Sequence, residues 1–325
     1  MSTTHGATAA LRAPLLAAGA AALVAAATML TGAGSSGAAT GAPPTTTPPG
    51  TATATATPTA TAEPLTCFGL TPTIVGTPAA DTLTGTDGVD VIVALGGGDT
   101  INALAGDDVV CAGDNSLTRT GGNSPQATTT GFDVVDGGDG NDRITGQGGV
   151  DQVSGGNGDD VLYGSDNVGV PADDPQTSSV RELLLGGPGK DELRGNLGRD
   201  LLRGGPDDDS VYGGSSADAL FGNEDNDLLV GGSSDDVVEG GLGDDTARGN
   251  KGNDKVTDKS GSDGAETFAG GSGNDVIAGN GGPDVLNGEG GDDIIRGGAG
   301  VDRIRGGTGA DTCTSPAAPP GATGC

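Results

Sequence analysis

From residue 76 onward a large aliphatic residue recurs about once every nine positions. Leu83, Ile92, Ile101 and Val110 open the series, and Ile144, Val153 and Leu162 continue it. Leu193, Leu202, Val211, Leu220 and Leu229 follow, then Ile277, Leu286, Ile295 and Ile304. Their immediate neighbours are mixed: Arg143 and Thr145 flank Ile144, and Arg303 and Arg305 flank Ile304. One apolar residue between two variable ones follows the side-to-side alternation of an extended chain. Each recurrence therefore predicts a short strand with its aliphatic side chain inward. The residues between recurrences are rich in glycine. Residues 137–145 read GGDGNDRIT, 146–154 GQGGVDQVS and 155–163 GGNGDDVLY, so the unit is G-G-x-G-x-D-x-U-x with U aliphatic.

The units fall in four blocks. Residues 76–111 and 128–163 hold four each, 177–257 hold nine and 270–314 hold five, with an irregular unit near Asp263 joining the last two blocks. Two insertions, 112–127 and 164–176, break the period and predict surface loops between coils. In the four blocks the sixth position is Asp in every unit except one, which has Glu182. Chance does not place an acid at one phase of nine so regularly. The fourth position departs from glycine at Ala79, Asp207, Ser216, Asp225 and Ser234, which predicts weaker or empty sites around 204–239. Ala247 at position eight predicts a thin spot in the core.

Glycine at positions one, two and four suits a tight turn that needs positive φ and close backbone approach. Such a turn can aim successive carbonyls at one centre, while position six adds a hard anionic oxygen. Calcium accepts a shell of carbonyl and carboxylate oxygens of this kind. Composition points the same way. The chain has 325 residues, 66 of them glycine, with 45 acidic against 15 basic residues and a formal net charge of −30. Only 33% is hydrophobic and 2% aromatic, too little for a layered domain with an ordinary core. One buried aliphatic side chain per nine residues does not offset the entropy of ordering those nine. Cation binding supplies the missing stabilisation, so the ion-free chain is expected to be expanded and the loaded chain folded.

The repeat resembles the calcium-binding nonapeptide repeats of RTX, or hemolysin-type, proteins. The resemblance implies an all-β fold, a right-handed parallel β-roll (a β-solenoid). Each unit would form a turn from its first six residues and a strand from its last three. Two units would make one coil, with calcium between stacked turns. Same-side aspartates then lie 18 residues apart, as in the pairs Asp133 with Asp151, Asp142 with Asp160, Asp275 with Asp293, Asp284 with Asp302 and Asp293 with Asp311. The ligands implied are Asp90, Asp99, Asp108, Asp133, Asp142, Asp151, Asp160, Asp191, Asp200, Asp209, Asp245, Asp254, Asp275, Asp284, Asp293, Asp302 and Asp311, with several calcium ions (Ca2+) as cofactor. No toxin or hydrolase role is carried over, because only a linker stands before the repeats.

Outside the repeats, the apolar run over residues 15–30 followed by small residues matches a cleavable signal peptide, with cleavage near Ala38 or Ala39. Residues 40–64 are Pro, Thr, Ala and Gly almost throughout and read as a disordered linker. The solenoid is placed at 65–314 and a capping tail at 315–325. Four cysteines in an exported chain read as disulfides. Three pairings are possible; Cys67–Cys111 with Cys313–Cys325 puts one bond at each end of the array, where a solenoid needs caps.

The acidity excludes nucleic acid as a partner. No membrane insertion is expected once the leader is removed, and His5, the only histidine, leaves with it. GGPGKD at 186–191 lacks the Ser or Thr of a phosphate loop, having Asp191 there. The expectation is therefore an extracellular calcium-binding protein with a structural or adhesive role on cell-surface or matrix polymers and no catalysis. The alternative is a polysaccharide-modifying enzyme with its site on the solenoid flank, where Arg194, Arg203, Tyr212 and Phe221 come nearest to a cluster.

Overall fold

The computed structural model describes residues 64–113, 132–165, 182–259, 264–316 and 323–325. The expected leader, nearly all of the linker and most of both insertions lie outside these residues. Among the described residues every regular element is a strand. The strands form two parallel sheets, one of 13 and one of 12 strands, and successive strands alternate between them. The chain thus winds as a β-solenoid of two strands per coil.

Pairing keeps one phase throughout. Partners are 18 residues apart in regular coils, as in Val211 with Leu229. They are 34 apart across the first insertion, where Val109 meets Arg143, and 31 across the second, where Gln152 meets Leu183. At the irregular unit Thr246 pairs with Thr267, which is 21 apart, so three extra residues are passed over there. In each case pairing resumes in the same register. Slipping by one residue would turn every core side chain outward.

The predicted three-residue strands are often six residues long, as in Glu192–Leu197 and Ser210–Ser215. The ladder skips position one and resumes at positions two and three, where Asn196 pairs with Gly214 and Leu197 with Ser215. The first half of each glycine-rich stretch is therefore paired strand, and only positions four to six form the bend.

Position eight builds the core as expected. Ile92, Ile101, Val110, Ile144, Leu162, Leu193, Leu220 and Ile277 are among its buried members. Ala247 does not thin it. Its partner in the next coil is Phe268, a large and fully buried side chain, so small meets large across the ladder. Phe268 belongs to the irregular unit, whose period is masked by the three extra residues.

Both ends carry a disulfide, Cys67–Cys111 and Cys313–Cys325, with Cα separations of 5.8 and 6.1 Å. At the leading end a tight turn over 67–70 puts Phe68 and Gly69 at positive φ. It buries Cys67 against Val91, Val93 and Cys111, a second small core on the outer face of the 13-stranded sheet. At the trailing end Thr323–Gly324 adds a last strand, with Thr323 paired to Ile304.

Candidate metal centre

The sixth-position acids line the inside of the bends, and all but the terminal Asp81 and Asp311 are buried almost completely. Their two carboxylate oxygens have different surroundings. Oδ1 accepts the backbone N–H of the equivalent residue one coil earlier: Asp90 N–H donates to Asp108 at 2.7 Å, Asp142 to Asp160 at 2.8 Å and Asp200 to Asp218 at 2.8 Å. These bonds run along both sides of the solenoid. They fix each carboxylate in the gap between two coils.

Oδ2 points into that gap and meets no donor. It is buried without a hydrogen-bond partner in Asp99, Asp108, Asp142, Asp151, Asp160, Asp191, Asp200, Asp209, Asp245, Asp254, Asp275, Asp284 and Asp293. An uncompensated buried anionic oxygen is costly, and here it recurs coil after coil. What surrounds it is more acceptor. A Cβ built on Gly213 would stand 2.6 Å from Asp218 Oδ2 and 2.6 Å from the Gly231 carbonyl oxygen. On Gly195 it would stand 2.7 Å from Asp200 Oδ2 and 2.7 Å from the Gly213 carbonyl. Position one is thus glycine to keep open a space faced by carboxylate and carbonyl oxygens. Ala94 and Ala103 show that a methyl group is admitted in the first coils, where it joins the core.

Burial raises these carboxyls. It pushes Asp151 up to about 8 and Asp218 to about 9, against the lowering effect of the accepted N–H bonds, with neighbouring acids adding to the rise. Asp227 and Asp236 are pushed up to about 8 for the same reasons. A cation in the gap removes that penalty. Calcium fits the donor set, since it takes six to eight hard oxygens and tolerates mixed shells. Among the described residues no three acidic side chains converge as a ready metal cluster, so carbonyls must complete each shell.

Four of the seventeen implied ligands are not in that unpartnered set. Asp90 is satisfied within the protein: its Oδ2 accepts the amide and hydroxyl of Thr86 at 2.7 and 2.9 Å, and its Oδ1 accepts the Thr73 hydroxyl at 3.0 Å. Burial opposes its ionisation, but these bonds outweigh burial and hold the carboxyl below the usual range. Asp302 Oδ2 accepts the Ser315 hydroxyl at 2.7 Å. Asp311, at the trailing end, is only half-buried and caps Asp293 N–H at 3.1 Å. Asp133 is fully buried, and its Oδ1 accepts the Asp99 N–H at 2.7 Å, the same link the regular coils make.

Asp218, Asp227 and Asp236 lie outside the predicted set, yet their Oδ2 atoms are buried and unpartnered like the rest. Asp207, Ser216, Asp225 and Ser234 hold the left-handed conformation, φ +69° to +83°, that glycine takes at position four elsewhere. The departures around 204–239 therefore place L-residues in a strained region without displacing the sixth-position carboxylates. Glu266 is also at position six, in the irregular unit, and both its carboxylate oxygens are buried without a donor. Counting back two residues from Phe268 would have found it.

Position five carries a second ladder that the sequence reading did not separate from the first. Asp107 accepts the N–H of Asn141 at 3.0 Å, Asn141 that of Asp159 at 3.0 Å, and Asp159 that of Lys190 at 2.9 Å. On the other side of the solenoid Asp235, Asn253, Asn274 and Asp292 do the same for the coil that follows. Here the side chain reaches forward along the solenoid, whereas at position six it reaches backward. Each bend is held to both of its neighbours.

The flank residues do not form one cluster. Arg194 stacks on Tyr212, 4.5 Å from the ring centre, on the 13-stranded sheet. Arg203 stacks on Phe221, 5.3 Å away, on the 12-stranded sheet.

Stacked bends with inward acids and open glycine cradles define a β-solenoid built to hold cations between its coils. The family model of the RTX calcium-binding nonapeptide repeat matches residues 75–110, 128–166, 185–220, 221–256, 260–293 and 278–313. Together these spans cover more than half of the chain, which belongs to that family. No curated protein matches it significantly.

Proposed function

We propose that this protein is exported and that its calcium-loaded solenoid serves as a stiff structural or adhesive element outside the cell, without catalysis. The observation that carries the reading is the run of buried Oδ2 atoms lacking donors. A fold that buries so many anionic oxygens around acceptor-lined gaps is stable only when cations fill them. Extracellular fluid supplies calcium at concentrations that weak, repeated sites can use. The leader-like segment over 1–39, which lies outside the described residues, and four paired cysteines agree with export.

The test is far-UV circular dichroism of the chain without its leader, in chelator and in millimolar calcium. Calcium should convert a largely disordered spectrum into a β spectrum, and chelator should reverse it. A spectrum indifferent to both sinks the proposal. Fractionation of the native source organism tests export, and protein retained in the cytoplasm with its leader intact counts against it.

A further inference from the structure

The acids of this chain are not spread evenly. On the outer face of the 13-stranded sheet, positions seven and nine carry Arg143, Arg194, Arg248, Arg303 and Arg305 among the described residues, and Glu192 is the only acid at these positions. A chain of net charge −30 thus presents one cationic face, bordered by acidic bends.

Half of its aromatic residues lie there too. The chain has four Phe, two Tyr and no Trp. Both tyrosines and Phe68 lie on this face. The Arg143 guanidinium sits 3.8 Å from the centre of the Phe68 ring and 5.6 Å from that of Tyr163. Arg194 pairs in register with Tyr163 on one side and Tyr212 on the other. Tyr163, Arg194 and Tyr212 therefore stand on three successive strands, with the rings two strand spacings apart, roughly 9.6 Å. Glu192 accepts from Arg194 Nε at 2.6 Å and orients the guanidinium while leaving its outer N–H groups unused by that bond.

From this we infer that the face binds an anionic polysaccharide lying along the solenoid axis, of the class with a uronate on alternate sugars. The inference names a partner for the adhesive reading above and rests on it. Tyrosine rings stack against the C–H face of a sugar, and the guanidinium between them donates a forked pair of N–H bonds to a carboxylate. The ring spacing is close to the length of one extended disaccharide, so rings and charge match such a polymer's own repeat. The acidic borders select against the alternatives. Duplex DNA carries a charge about every 1.7 Å and brings phosphates against both borders. A membrane surface is flat and meets the same repulsion.

The experiment uses the chain without its leader, loaded with calcium and shown by circular dichroism to be folded. Calorimetry measures binding to hyaluronan oligosaccharides, neutral dextran, duplex DNA and phosphatidylserine vesicles. Saturable, salt-sensitive binding to hyaluronan alone is expected, weakened at least about tenfold by Arg194→Gln or Tyr212→Leu. Arg203→Gln on the opposite sheet should leave it unchanged. Should either variant lose its calcium response, the charge reversal Arg248→Glu on the same face gives the comparison. No hyaluronan binding, equal binding to dextran, DNA or vesicles, or equal loss in Arg203→Gln overturns the inference. So does self-association in sedimentation that Arg194→Gln abolishes, which would make a second copy the occupant. A normal calcium response with no glycan binding refutes this inference alone; no calcium response refutes the reading beneath it.

Discussion

Thr86 gives Asp90 both its amide and its hydroxyl, at 2.7 and 2.9 Å, and so fills the place that a cation takes further along. Thr77 serves Asp81 in the same way, through its amide at 2.5 Å and its hydroxyl at 2.9 Å. Both threonines stand at position two, where most later units have glycine or an amide side chain. The first coils also own the Cys67–Cys111 bond and a small core of their own. They should therefore stay ordered without calcium and template the remainder. Hydrogen exchange in chelator should find the amides of Val91–Val93 and Val109–Cys111 protected while those of Ser210–Ser215 and Leu228–Ser233 exchange freely. Uniform exchange across the chain would refute this. Thr86→Val should lower that protection by about 1–2 kcal/mol.

A regular site behaves differently. Asp218→Asn keeps the shape but replaces an anionic oxygen with a neutral amide. The calcium concentration at the midpoint of folding should rise several-fold, because a solenoid couples each coil to its neighbours. Asp302→Asn, whose Oδ2 already accepts from Ser315, should move the midpoint less. Calcium titrations followed by circular dichroism compare the two.

The pH dependence reverses with and without the ion. Burial raises Asp151, Asp227 and Asp236 to about 8 and Asp218 to about 9 in the ion-free fold. Unfolded, these groups titrate near 4. Between those values the folded chain binds more protons than the unfolded one, so its ion-free stability falls as pH rises. That contribution is fully present below about pH 4 and is lost through the range from there to about 9. In chelator the chain should be more compact at pH 4 than at pH 8. In limiting calcium, acid should instead displace the ion, and affinity should fall as pH drops. Small-angle scattering across pH, with chelator and with calcium, checks both signs.

Ala247 and Phe268 share one layer of the core. Phe268→Ala should cost about 3–5 kcal/mol, measured by denaturant unfolding in saturating calcium. Ala247→Leu combined with Phe268→Leu redistributes the volume and should recover a good part of that loss. Strictly additive effects would show that the two side chains do not compensate each other.

The repeat was legible because a solenoid returns to the same environment at a fixed interval. Position eight, the acid at position six and the disulfide pairing all follow from phase or from position along the array. What stayed hidden depends on which residues meet across coils. Phe268 and Glu266 were lost to a three-residue shift that the paired strands simply pass over. Asp107, Asn141 and Asp159 gain their partners only when stacking brings each against the next coil's N–H. Thr77 and Thr86 depart from the glycine of position two, and only the folded turn shows their hydroxyls completing Asp81 and Asp90. Asp218, Asp227 and Asp236 were set aside because a neighbour broke the consensus, but the backbone path tolerates Asp or Ser in the left-handed region.

Because pairing resumes in phase after 21, 31 and 34 residues as readily as after 18, the gene can change length without redesigning its product. Duplicating or deleting one full coil alters how far the protein reaches and leaves every surviving contact intact. Evolution can therefore tune reach by recombination alone, and an engineer could do the same with a ruler in hand.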